Sequence, residues 1–302
     1  MKPVFKNVKC NLCGADDYKV IFKAKPTDEV EMDKVFSASG HDFLKEQVVK
    51  CKKCGFVYIN PQIKGDDVVK GYSDAVDSDY VSQSEGRMDT FKDCLNIVNK
   101  LYKKKGKLLD VGSAAGFFVK VAEDDGWDAH GIEPSRWLVN WGKTNLKLKN
   151  AKAGTLEEGK YPNDFFDVVT LWDVLEHVPD PSATLKEINR ILKPGGMVFI
   201  NYPNYGSSLS KISGRRWWFL LSIHLYYFTP KTISAILEKT GFKPVFYKRH
   251  WQKLALGYLV YRVEPYNKTL SRFLVKAVKK LGLADKKVSY YASQALVAGL
   301  KK

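Results

Sequence analysis

Leu108-Leu109-Asp110-Val111-Gly112-Ser113-Ala114-Ala115-Gly116-Phe117 joins a short apolar run to a loop of small residues and an apolar-faced segment. The run Leu108–Val111 predicts a buried strand, and Phe117–Asp124 predicts a helix. Small residues let a ligand approach the loop backbone, and amides at a helix start point toward it. A dinucleotide fingerprint of the form Gly-x-Gly-x-x-Gly starting at Gly112 requires glycine at 114 and 117. The chain has Ala114 and Phe117 there. The third glycine of that pattern permits close helix–strand packing, which phenylalanine obstructs. The loop therefore fits a ligand without a pyrophosphate.

Downstream, strands and helices alternate. Ala129–Glu133 and Asp167–Trp172 read as strands, Pro134–Asn145 as a helix. Ser182–Leu192 places Leu185, Ile188, Ile191 and Leu192 on one helical face, and Met197–Asn201 is the next strand. Thr229-Pro230 is an N-cap followed by proline, and Gly241 ends that helix. The alternation predicts a mostly parallel, doubly wound α/β sheet with helices on both faces. Glu133 closes the second strand, where a carboxylate accepts hydrogen bonds from both hydroxyls of a ribose.

Upstream, Phe91, Leu95, Val98 and Leu101 repeat at helical spacing, and residues 63–105 read as a helical lead-in or lid. Residues 1–62 carry two matching pairs, Cys10-x-x-Cys13-Gly14 and Cys51-x-x-Cys54-Gly55. Each pair suits a tight turn aiming two sulfurs at one ion, the glycine supplying the positive φ. Together Cys10, Cys13, Cys51 and Cys54 predict a closed four-thiolate zinc site in a zinc-ribbon-like segment. The alternatives are unpaired buried cysteines or a redox dithiol. His41 between the pairs reads as a surface residue, and Cys94 as core.

The net charge of +16 is unevenly placed: residues 243–302 hold fourteen Lys/Arg against Glu264 and Asp285. In residues 269–283, Leu270, Phe273, Leu274, Ala277, Val278 and Leu281 form an apolar face flanked by Arg272, Lys276, Lys279 and Lys280. Ala292–Leu300 reads as the last strand, so residues 251–287 are expected to be a basic helical insertion within a domain spanning 106–302. The insertion would meet a membrane, a phosphorylated substrate or a second subunit, or would be a solvated face. Arg215-Arg216-Trp217-Trp218 would bind phosphate and stack on a sugar or lipid, or bury its tryptophans in the core. No apolar run is long enough for a membrane span, and Met1–Cys10 has no apolar signal core. These features predict a cytoplasmic protein, with the inner membrane face as a further station.

Residues 108–117 resemble the first motif of class I S-adenosylmethionine-dependent methyltransferases, Asp-x-Gly-x-Gly-x-Gly, matching at Asp110, Gly112 and Gly116 with Ala114 in the middle position. Gly131-Ile132-Glu133-Pro134-Ser135 resembles the ribose-binding acid, and Phe166–Pro181 the fourth-strand motif. Leu192-Lys193-Pro194-Gly195-Gly196 resembles the turn before the fifth strand. His224-Leu225-Tyr226-Tyr227-Phe228-Thr229 resembles a segment of a subfamily with N-terminal zinc knuckles, many of whose members serve glycan or natural-product biosynthesis. The resemblance covers nearly the whole chain in order. It implies a Rossmann-like fold with S-adenosylmethionine held by Asp110, Gly112, Ser113, Gly116, Glu133, Trp172 and Asp173, with Tyr80 and Arg87 from the lead-in. Arg87 would pair with the cofactor carboxylate. Where the family often has an adenine-binding acid, this chain reads Gly154-Thr155-Leu156, which leaves Thr155 or backbone groups to serve.

Methyl transfer needs acceptor, methyl and sulfur in line, water excluded, and a proton acceptor for a hydroxyl. His177 and His224 are the candidate bases; the alternative for each is a structural imidazole bonded to the backbone. The expected acceptor is a small molecule, sugar or lipid-linked glycan, with oligomerisation open. An RNA-directed methyltransferase or RNA-binding protein is the rival, disfavoured because the cysteine segment is not unusually basic and lacks interleaved stacking aromatics. A non-catalytic cofactor-binding scaffold is a second rival, disfavoured by the retained Asp110, Gly112, Gly116 and Glu133.

Overall fold

A computed structural model describes residues 4–25, 44–73, 76–264 and 266–302; His41 lies outside them. The strands are β1 Phe5–Lys6, β2 Tyr18–Phe22, β3 Val48–Cys51, β4 Val57–Ile59, β5 Gln62–Ile63, β6 Lys107–Val111, β7 Asp128–Glu133, β8 Ala151–Ala153, β9 Phe166–Trp172, β10 Leu192–Pro203, β11 Tyr226–Tyr227, β12 Phe242–Ala255 and β13 Lys287–Lys301. The helices are α1 Gly65–Ser73, α2 Ser78–Ser82, α3 Ser84–Leu101, α4 Phe117–Asp124, α5 Arg136–Leu146, α6 Pro181–Ile191, α7 Ser208–Ser213, α8 Pro230–Lys239, α9 Leu256–Tyr261 and α10 Lys268–Lys280.

Seven strands form the central sheet in the order β12-β13-β10-β9-β6-β7-β8. The pairs from β8 through β10 are parallel, and β13 runs antiparallel between β10 and β12. The chain leaves β6 toward β7 on one side and returns to β9 on the other. Ligands bind at such a reversal, outside the carboxyl ends of the strands. Leu108, Leu109, Val168, Val169 and Leu171 are fully buried, as continuous apolar runs in a doubly covered parallel sheet must be.

The cysteine-bearing strands form a four-stranded antiparallel sheet, β11-β4-β3-β2. Its edge strand β11 comes from more than 160 residues downstream and pairs Tyr226 with Tyr58 and Tyr227 with Val57. The N-terminal sheet is thereby stitched to the body.

Two expectations shift in the last third. The strand expected at Ala292–Leu300 begins at Lys287, and its partner β12 runs on to Ala255, so the helical excursion occupies 256–286 rather than 251–287. Helix α3 is the reason. Lys253 N donates to Thr90 Oγ1 at 2.8 Å, and a Cβ on Gly86 would lie 2.8 Å from the Lys253 carbonyl. A cover 160 residues away in sequence leaves no local signal. In α10 the expected apolar face divides. Ser271 and Val278 are buried with Leu274 and Ala277 half-buried, while Leu270, Phe273 and Leu281 stay exposed. No helix among the described residues is long and apolar enough to cross a membrane.

Helix α5 crosses very close to the loop after β6: a Cβ at Gly142 would lie 2.4 Å from the Ala115 carbonyl oxygen. Alanine for glycine inside a helix ordinarily stabilises by about 0.5–1 kcal/mol. Here the clash reverses the sign, since overpacking costs about 1–3 kcal/mol. Gly142→Ala is therefore expected to lower stability by about 1–2 kcal/mol in denaturant unfolding, and a stabilised variant would contradict this packing.

Candidate active site

The loop after β6 turns through three left-handed residues, Gly112 (φ 67°), Ala114 (φ 47°) and Gly116 (φ 79°). A Cβ at Gly112 would lie 2.6 Å from Val174 Cγ2, and one at Gly116 would lie 2.2 Å from Leu148 Cδ1; the left-handed φ and these side-chain tips together favour glycine at both places. Ala114 needs no such room but carries the left-handed strain that non-glycine residues seldom bear outside functional sites.

Glu133, buried at the end of β7, holds this loop. One carboxylate oxygen accepts from Ala114 N and the other from Ser135 N, both at 2.9 Å. Burial pushes its pKa up, and the two amides oppose the shift. Each oxygen keeps a lone pair for a further donor. Asp110 lies behind the loop: Thr170 Oγ1 donates to it at 2.6 Å, and burial pushes its carboxyl up to about 8.

These strand ends open on one cavity of about 860 Å³, large enough for a cofactor and an acceptor together. Glu133, Gly112 and Thr155 line it. Thr155 N donates to Glu158 Oε2 at 2.7 Å and its hydroxyl accepts from Glu158 N, so its polar atoms first serve a local turn. Asp173, left-handed at φ 57°, also lines the cavity. Its Oδ1 accepts from Asn201 Nδ2 at 2.8 Å and Gln294 Nε2 at 2.5 Å. Burial raises its pKa to about 6 against the pull of Gln294 and Arg87. From the lead-in, Arg87 lies 3.9 Å over the Tyr80 ring, and its Nε donates to the Tyr80 carbonyl. Both line the cavity, as does Trp172, whose Nε1 is buried without a partner among the described residues.

The same cavity is lined by Glu176, His177 and His224, whose ligating atoms lie within 4.8 Å of one another. The imidazoles meet edge to face, centroids 4.6 Å apart. Nδ1 of His177 lies 2.8 Å from Tyr72 Oη and 3.1 Å from the Ile223 carbonyl; Nδ1 of His224 lies 2.8 Å from the Phe219 carbonyl. A carbonyl only accepts, so Nδ1 of His224 carries the proton and its Nε2 a lone pair, whereas Nδ1 of His177 either donates to the Ile223 carbonyl or accepts from the Tyr72 hydroxyl. Burial pushes His177 down to about 4; burial and then His177 push His224 well below the histidine range. Both are neutral at pH 7. Glu176 is 1% exposed, and neither carboxylate oxygen has a hydrogen-bond partner among the described residues. Burial, then Asp173, pushes its pKa far up.

Away from the cavity, the four expected metal ligands converge. Cys10 Sγ lies 3.5 Å from Cys54 Sγ, and Cys13 Sγ 3.6 Å from Cys51 Sγ. A tetrahedral ion with sulfur at about 2.3 Å sets its ligands about 3.8 Å apart, so the cluster fits such an ion. Gly14 and Gly55 take the positive φ expected after each pair, and donate back to the Cys10 and Cys51 carbonyls. Burial pushes the Cys10 and Cys54 thiols up, Cys54 to about 11, while at Cys51 burial is outweighed by hydrogen bonds, which bring it down to about 7.

Tyr80, Arg87, Gly112, Glu133, Thr155, Trp172, Asp173, His177 and His224 meet at one cavity, while Asp110, Ser113 and Gly116 stand behind its wall and shape the loop. Trp217 is core: fully buried, its Nε1 donates to Ser293 Oγ, and Trp218 donates to the Ala292 carbonyl. Cys94 is likewise buried. Sequence reasoning missed Glu176, although it adjoins His177 at the carboxyl end of a strand. It also missed Asn201 and Gln294. Nothing local marks Gln294, which arrives on the antiparallel β13.

The profile of the methyltransferase domain family matches residues 87–246, more than half of the chain, and the chain belongs to that family. An uncharacterized methyltransferase of Schizosaccharomyces pombe is 32% identical over 142 residues, 42% of this chain and 50% of that protein. A ubiquinone biosynthesis O-methyltransferase of Aliivibrio fischeri is 30% identical over 115 residues, 36% of this chain and 48% of that protein. This chain thus spans about half the length of the curated relatives it matches. A chain of the Haloferax volcanii complex between the Trm112 methyltransferase activator and a methyltransferase has the same fold, with a TM-score of 0.50 at 16% identity over 72% of this chain and 92% of that one.

Proposed function

We propose that this protein transfers a methyl group from S-adenosylmethionine to a hydroxyl of a sugar, lipid-linked glycan or other small acceptor. One observation carries the reading: a buried ribose-type acid, Glu133, and a pair of neutral imidazoles, His177 and His224, line the same cavity at the sheet's reversal point. When bound, the cofactor supplies a methyl made electrophilic by its sulfonium. Glu133 would accept from the ribose hydroxyls, and the Gly112–Ala114 backbone would lie against the nucleoside. Asp173 and Arg87 would take the ammonium and carboxylate of the amino-acid end. His177 and His224 would serve the acceptor hydroxyl through Nε2, either taking its proton or acting through a bound cation. The cysteine cluster would hold one zinc ion as a structural site, with no open position.

The excursion suggests how an acceptor arrives. Leu259, Arg262, Val263 and Tyr266 border the cavity, while α10 exposes Phe273 (68%) and Leu281 (69%) beside Lys276 and Lys280. A basic, apolar-edged helix that follows directly on these cavity-lining residues fits an anionic membrane surface carrying a lipid-linked acceptor, each cation contributing about 1 kcal/mol near the surface.

Three outcomes are expected. S-adenosylhomocysteine binds the purified protein, and Glu133→Ala weakens it by about 1.5–3 kcal/mol in calorimetry; unchanged affinity in the folded variant would remove the ribose assignment. Metal analysis finds at least one zinc per chain and clear loss in Cys51→Ser; a metal-free wild type would refute the thiolate site. Finally, the protein co-sediments with anionic vesicles at low salt and releases at high salt, whereas no low-salt binding would rule out the membrane surface.

A further inference from the structure

We propose that Glu176, His177 and His224 form a second metal site, in which a divalent transition cation is held at the acceptor end of the cavity and takes the acceptor hydroxyl as a further ligand. The assignment of this end to the acceptor rests on the methyltransferase reading above; the metal site itself does not.

Three independent features point to a cation. First, Glu176 is a fully buried carboxylate whose two oxygens find no donor among the described residues, although it faces two imidazoles. Buried polar groups are almost always satisfied, so this carboxylate calls for a partner that the chain does not supply. Second, both imidazoles are set up as ligands. Both Nδ1 atoms are engaged, that of His224 by the Phe219 carbonyl and that of His177 by the Ile223 carbonyl and the Tyr72 hydroxyl, which leaves Nε2 of each ring as the atom available to an ion. Metal-binding histidines are commonly held by this outer hydrogen bond. Third, two imidazoles and one carboxylate are a donor set suited to zinc, iron, cobalt or nickel, and only three protein ligands leave positions open for substrate. His177 Nε2 is 4.0 Å from Glu176 Oε1. Side-chain torsions need to draw the group in by about 1 Å for ligand bonds of about 2.1 Å.

This site differs in kind from the cysteine cluster. The thiolates form a closed, four-sulfur shell outside the cavity, whereas this cluster is open toward it. A hydroxyl bound to the cation has a lowered pKa. Its O–H bond would break with the proton passing to water, and the oxygen's electron pair would form the O–CH3 bond as the sulfonium C–S bond breaks, leaving neutral S-adenosylhomocysteine. His177 and His224 then act as ligands, and no protein base is required.

The test uses Co²⁺ as probe on full-length protein that has been treated with a chelator mild enough to leave the thiol-bound metal in place. Calorimetry is expected to show one further Co²⁺ equivalent per chain. In Glu176→Gln the Co²⁺ affinity should fall at least tenfold with the melting temperature and S-adenosylhomocysteine affinity retained, and His224→Ala should reproduce the loss. A Co²⁺ soak should place an anomalous peak between Glu176, His177 and His224. No uptake by the wild type, unchanged uptake in Glu176→Gln, or a peak elsewhere would overturn the proposal. Failure of the wild type to bind S-adenosylhomocysteine would instead count against the methyltransferase reading, and the cobalt result would stand by itself.

Discussion

The cavity depends on a single buried carboxylate that bridges two chain reversals. Glu133 accepts from Ala114 N in the loop after β6 and from Ser135 N at the start of α5. The loop it holds contains a strained alanine and two glycines with no room for a side chain. Without that carboxylate the loop amide at Ala114 loses its acceptor, and α5 loses an anchor at its first turn. A group that shapes the apo loop and also faces the cavity has two reasons to stay charged. Its two amide donors resist the upward push of burial.

The electrostatics of the cavity run against those of the chain. The protein carries +16 overall, yet Glu133, Asp173 and Glu176 all reach one cavity, with Arg87 as the cation nearest Asp173. Burying three acids in water-poor surroundings is costly unless cations or donors arrive. A positively charged sulfonium, an ammonium and a metal ion would each offset part of that cost, and each is worth more in a low dielectric than in water. The excursion contributes Arg262 to the same lining as the acids and carries its remaining cations on a helix outside it. An anionic acceptor would therefore be attracted to those cations and its neutral or cation-bound part admitted to the interior.

Much of this was legible in the sequence, because the central elements are local. The β6 run, the small-residue loop, the acid ending β7 and the Cys-x-x-Cys-Gly turns each follow from short-range chemistry, and the structure places them where periodicity and capping put them. What could not be read depends on long-range pairing. Lys253 stays in a strand because Thr90 and Gly86 on α3 accommodate it. Gln294 reaches Asp173 only because β13 runs antiparallel beside β10. Phe273 and Val278 belong to one amphipathic stripe in the sequence, but only packing against α9 decides which of them faces inward.

The cysteine sheet acquires a role from the same kind of pairing. Cys51 ends β3, β3 pairs with β4, and β4 pairs with β11 at Tyr226 and Tyr227. Ile59 N donates to the Leu225 carbonyl, and Tyr226 N donates to the Glu176 carbonyl. His224 is therefore suspended between the thiol-bearing sheet on one side and the Glu176 turn on the other. A metal in the four-thiol site would tie β3 to the N-terminal turn at Cys10, and β3 is joined through β4 to β11, two residues after His224. Metal binding of that kind is folding free energy. Its loss would be felt at the acceptor end of the cavity as a displaced His224, even though no thiol touches the cavity itself.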